Sequence, residues 1–135
     1  MDSTIRRLVW ERAGRRCEYC RLHQNHDLFF RFHIEHIIAK QHGGSDEPNN
    51  LALACHHCNE HKGPNLSGID PRTGKVALLF HPRRQKWDRH FRFVGPTVVG
   101  RTPCGRATVG VLAMNVRERS ETRAQLMAVG LFDEP

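Results

Sequence analysis

The chain has 135 residues, about the length of one domain, and its 21 Lys and Arg outnumber its 14 Asp and Glu. The formal net charge of +7 suits a polyanionic partner, and because basic residues recur along the whole chain rather than in one tail, nucleic acid leads over an acidic protein or a membrane surface. No stretch approaches the roughly 20 apolar residues of a membrane helix, and the N-terminus has no apolar core of signal-peptide length, so a cytoplasmic protein without membrane association is expected.

In chain order, Ser3 and Thr4 can cap a helix whose apolar stripe is Ile5, Leu8, Val9 and Ala13, with Gly14 as its stop. Residues 28–38, "LFFRFHIEHII", are rich in aromatic and β-branched side chains and predict a strand. The turn-rich loop "KQHGGSDEPNN" follows, then a short returning strand, "LALAC". "HCNEHK" reads as a helix broken by Gly63 and Pro64. After the turn signals of "NLSGIDPRTGK", "VALLF" resumes as a strand, and "RHFRFVGPTVVGR" predicts a hairpin through Gly95 and Pro96. Thr102 and Pro103 suit an N-cap and first helical position, opening a C-terminal helix that continues into or breaks before "SETRAQLMAVG". With no repeat or linker, residues 1–135 are expected to form one α+β domain, residues 64–135 being a β-hairpin and helix extension on the part that precedes them.

Four of the five cysteines form two Cys-x-x-Cys pairs, Cys17 with Cys20 and Cys55 with Cys58. An odd count argues against a disulfide framework, while two such pairs can point four thiolates at one centre, the ligand set of tetrahedral structural zinc. Cys104 is left over. His56 and His57 are not needed as ligands and are expected to be exposed at the tip of the second knuckle.

The residues between and beside these pairs, "CEYC", "IEHIIAKQHGG" and "NNLALACHHCNEHKG", resemble the HNH (His-Me finger) endonucleases, specifically their four-cysteine zinc branch. The match covers residues 17–63. The resemblance implies a ββα-metal element clamped by zinc and hydrolysis of DNA, double-stranded in the first instance, to 5′-phosphate and 3′-hydroxyl ends. It implies His36 as the general base, with Asn50 holding its ring through a hydrogen bond. Glu35 and Asn59 become the oxygen ligands of a catalytic Mg²⁺ or Mn²⁺. The chemistry is consistent with these residue types: an imidazole with an ordinary pKa of about 6.5 accepts a proton at neutral pH, and carboxylate and amide oxygens are hard ligands. Three positions depart from the commonest pattern: Glu rather than Asp or His before the base, Asn59 for the last histidine, and Ala39 where a proline is frequent.

Simpler readings stand beside these. Asn50 is turn chemistry by itself, Asn59 can cap a helix, and His33 reads as an ordinary strand residue. Lys62 is positioned either to reach a phosphate or to stand in solvent. "HPRRQKWDRHFRF", with Arg83, Arg84 and Lys86, is equally a nucleic-acid contact and an amphipathic covering segment. The alternative to an enzyme is a zinc-stabilised nucleic-acid-binding module without hydrolytic activity, and less strongly a protein-interaction zinc domain. A pure binder has no use for an aligned Glu-His with two asparagines around it.

Overall fold

The computed structural model describes residues 1–132. It divides into two compact units, residues 1–65 with 81–84, and residues 66–80 with the chain from 85 onward. The described strands form three separate two-stranded antiparallel sheets among five helices, an α+β arrangement.

The first unit opens with α1 (Ser3–Arg12), capped one residue earlier than expected: Asp2 Oδ1 accepts from Thr4 N at 2.7 Å and Ile5 N at 3.0 Å. Val9 enters the core, and the Arg12 guanidinium donates to the carbonyls of Pro48 and Leu51. Strand β1 (His33–His36) pairs with β2 (Leu51–Ala54), setting His33 opposite Ala54 and His36 opposite Leu51. All four residues of β2 are buried. Helix α2 (His56–Lys62) follows directly, its N-cap being Cys55, whose sulfur accepts from Cys58 N, and Gly63 ends it at φ +50. The order strand, loop, strand, helix agrees with the expected ββα element.

The strand predicted over residues 28–38 forms only from His33. Upstream, Asp27 Oδ1 accepts from the backbone N–H of Phe29 and Phe30, and the Gln24 amide both donates to Phe30 O and accepts from Phe32 N. These side chains take the backbone groups a ladder would have used, so residues 28–32 become a fixed loop despite their β-rich composition.

In the second unit, β3 (Ser67–Ile69) and β4 (Val76–Leu78) form a hairpin, and α3 (Trp87–His90) leads into a second hairpin, β5 (Phe91–Val94) and β6 (Thr97–Gly100). As expected, Thr102 caps α4 (Pro103–Val111), with its hydroxyl accepting from Gly105 N. The helical pattern then breaks before α5 (Arg117–Ala128). Phe80, Trp87, Phe91, Val98, Leu112 and Met114 form the core. Gly105 is fixed by close approach, because a Cβ there would lie 2.0 Å from His90 O. Asp70, fully buried, is held by an Arg106 fork at 2.8 and 2.9 Å, which keeps its carboxyl well below the ordinary range.

Candidate functional site

Both cysteine pairs converge. The four sulfurs of Cys17, Cys20, Cys55 and Cys58 lie within 4.8 Å of one another, and all four residues are buried. Four thiolates at about 2.3 Å from a tetrahedral zinc stand about 3.8 Å apart, and Cys20 Sγ to Cys55 Sγ is 3.7 Å. Backbone N–H groups of Cys20 and Cys58 donate to the sulfurs of Cys17 and Cys55, the turn geometry of a zinc knuckle. Crowding by the neighbouring thiols and burial push the Cys55 and Cys58 thiols well up, so only a cation at the centre makes four thiolates compatible. The donor set therefore suits a structural zinc, and Cys104 stands apart from it as expected.

At the other end of β1, Glu35, His36, Lys40 and Asn59 border one hollow of about 310 Å³. The strand stops at His36, and this termination lets two sequence neighbours line the same space although strand geometry would send them to opposite faces. His36 Nε2 lies 2.7 Å from Asp46 Oδ1, and Lys40 Nζ lies 3.0 Å from Asp46 Oδ2. An ionised carboxylate only accepts, so His36 Nε2 donates to Asp46 Oδ1 and Nδ1 takes no part in this bond. The His36 and Lys40 bonds hold the Asp46 carboxyl below its usual range.

The expected bond from Asn50 to the His36 ring is not made. Asn50 is buried and its amide is fully used on the loop: Oδ1 accepts from Ile38 N, and Nδ2 donates to the carbonyls of Ile38 and Ser45. It closes residues 38–45 into a rigid turn. Gly44 permits that closure, because a Cβ there would sit 1.7 Å from Ile38 O. The turn brings Asp46 to His36, so Asp46 and not Asn50 bonds the imidazole ring. Sequence reasoning missed Asp46 and Lys40; the signal was the Gly-Gly pair, which folds the loop back on the strand end.

Glu35 is 6% exposed, and its carboxylate accepts from Tyr19 Oη and lies 3.4 Å from Lys62 Nζ. Burial raises its pKa, against the lowering effect of Lys62, Tyr19 and His36. Lys62 answers neither alternative offered by the sequence: it is 2% exposed, donates to Ile37 O at 2.9 Å and faces Glu35, so it is an internal counter-ion and not a phosphate contact. Arg83 is likewise committed inward, to Glu18, whose other carboxylate oxygen accepts from Leu53 N. Burial and nearby Arg12 lower its pKa to about 10. Arg84 and Lys86 are exposed. His33 is exposed and meets His56, which is half-buried like His57 rather than fully exposed.

A family model described as HNH endonuclease matches residues 17–65, the span from the first cysteine to just past α2. This segment is similar to the HNH endonucleases. No match was found among curated proteins or among solved structures. The matched segment contains the four-cysteine centre, the hollow and the Asn50-closed loop. No helix among the described residues is long and apolar enough to cross a membrane.

Proposed function

We propose that the matched segment is an endonuclease that hydrolyses double-stranded DNA to 5′-phosphate and 3′-hydroxyl ends, using His36 as general base and one divalent cation held by Glu35 and Asn59. The observation that carries this reading is His36, bonded to Asp46 on one side and bordering the hollow shared with Glu35 and Asn59. His36 Nδ1 takes a proton from water as the water oxygen attacks phosphorus, and the bond to the 3′ oxygen breaks, that oxygen leaving with the bonding pair and taking a proton from solvent to become the 3′-hydroxyl. Asp46 holds the ring in the productive tautomer and stabilises the imidazolium that forms. Lys40, exposed at the same hollow, adds positive charge toward the phosphate. Tyr19 and Lys62 fix the Glu35 carboxylate. Mg²⁺ or Mn²⁺, when bound by these two oxygen donors, supplies neutralisation of the phosphate and of the leaving oxygen. Zinc in the four-cysteine centre is structural and takes no part in the reaction. Arg84 and Lys86 remain available for phosphate contact, and a cytoplasmic location is part of the same reading.

One observation favours the second reading, a binding module without activity: Glu35 is already engaged by Tyr19 and Lys62. Incubation with supercoiled plasmid and Mg²⁺ or Mn²⁺ separates the two. Wild-type protein should convert the plasmid to nicked or linear forms, and His36→Ala should lose at least about 100-fold in rate while keeping its fold and its mobility shift. If both proteins shift the plasmid and neither cuts it, the nuclease reading fails.

A further inference from the structure

The loop upstream of β1 exposes two large apolar side chains that the proposed chemistry does not use. Leu28 is 85% exposed and Phe29 87%, consecutive in the chain. Single exposed hydrophobes are ordinary, but this pair is presented on a braced support. Asp27 caps the backbone of Phe29 and Phe30 at 3.1 and 3.0 Å, and Gln24 clamps the far side through Phe30 O and Phe32 N. Phe30 lies flat on His56, ring centroids 4.1 Å apart. Immediately after it, the Arg31 guanidinium stacks 4.5 Å above Trp10, whose ring also carries Arg15 and stacks on Phe32. Arg6, Arg7, Arg15 and Arg31 line a groove of about 650 Å³ beside Trp10, with Glu11 the single carboxylate among them.

We propose that Leu28 and Phe29 form a wedge that enters the base stack of bound duplex DNA while the arginine groove holds the adjacent phosphates. An apolar pair two residues before Arg31, itself part of an arginine-lined groove, has the pattern of the ligand itself, where apolar base faces lie beside a continuous run of phosphates. The occupant is therefore DNA, and a second copy of this chain is the alternative that the experiment must eliminate. From Phe29 to His36 the chain spans at most about 25 Å even if fully extended, about seven base steps at about 3.4 Å each. The wedge thus unstacks the duplex within about seven steps of the scissile phosphate. This inference rests on the reading above in taking DNA as the ligand and, for the distance to the scissile phosphate alone, in taking His36 as the cutting residue.

The test uses the full chain carrying His36→Ala, so that DNA stays intact, and duplexes with 2-aminopurine at successive positions. Binding should raise 2-aminopurine emission over one short interval. Adding Leu28→Ser and Phe29→Ser should abolish that rise and weaken binding about tenfold, with zinc content and melting temperature unchanged. With His36 intact, the double variant should lose cutting of matched duplex and retain it on duplex already opened by a mismatch near the site. An undiminished rise with the wedge residues removed overturns the proposal. So does a wild-type dimer that the double variant turns into a monomer without any change in emission, which would assign the tip to self-association. If wild type unstacks DNA and cuts nothing, the wedge stands and the nuclease reading falls.

Discussion

The role proposed for His36 requires one tautomer, and the bond to Asp46 bears on which one forms. The carboxylate at 2.7 Å obliges Nε2 to carry the proton. Asp46→Asn keeps the size but offers an NH₂ donor, which pins the proton on Nδ1 and removes the base. We expect kcat for plasmid cleavage to fall about tenfold or more, with KM and melting temperature nearly unchanged, since Asp46 is exposed. An equal fall in DNA affinity would instead make Asp46 a binding determinant. The residue types of this site were legible because Glu35, His36, Asn50 and Asn59 stand in register with the cysteine pairs. Their partners were not, because hydrogen bonds to a loop depend on how that loop closes. Asn50 looked equally able to reach an imidazole or the backbone, and the tight passage of Gly44 against Ile38 decides for the backbone.

At the scale of elements, the four-cysteine centre joins the turn before β1 to the N-terminus of α2 and so fixes the ends of the ββα element. Two strands of four residues and one helix of seven are too short to persist alone, so zinc bound at this centre would contribute folding free energy outright. Cys17→Ser should leave the first unit without cooperative melting and without bound zinc, and an excess of chelator should reproduce this in wild type. Retention of a sharp transition in the zinc-free variant would show that the strands and Val9 core suffice. Helices α1, α2, α4 and α5, the second hairpin and both knuckles could be read from periodicity, caps and spacing, whereas α3 lay in a stretch read only as basic and aromatic. The overlong strand at 28–38 could not, because Asp27 and Gln24 act from outside the β-rich run and remove its ladder groups.

For the molecule as a whole, the basic excess proved a coarse guide to the surface. Lys62, Arg83 and Arg106 are matched to internal carboxylates, and Arg12 and Arg123 satisfy carbonyl oxygens. Exposed cations that remain for a polyanion include Arg6, Arg7, Arg15, Arg31, Arg84 and Lys86, which charge counting cannot separate from the rest. The internal pairs carry a pH signature. Asp70 titrates below its unfolded value of about 3.9, chiefly through Arg106, so its stabilisation is complete above that value and is lost as pH falls toward the depressed folded pKa. Melting of wild type should decline steeply below about pH 4. Asp70→Asn should melt several degrees lower at neutral pH and respond less to acid, and parallel acid profiles for the two proteins would contradict the assignment.

The burial of Lys62 against Glu35 also constrains how this site can change over generations. Either residue replaced alone leaves the other's charge in a nearly dry interior, with a cost of about 3–5 kcal/mol, whereas replacing both removes the stranded charge and leaves only the neutral groups of Tyr19 and Ile37 without these partners. The two positions are thus expected to change together. A lineage that abandons the proposed metal ligand is expected to lose the lysine with it, and melting curves of Lys62→Met, Glu35→Leu and the double variant would measure how strongly they are tied.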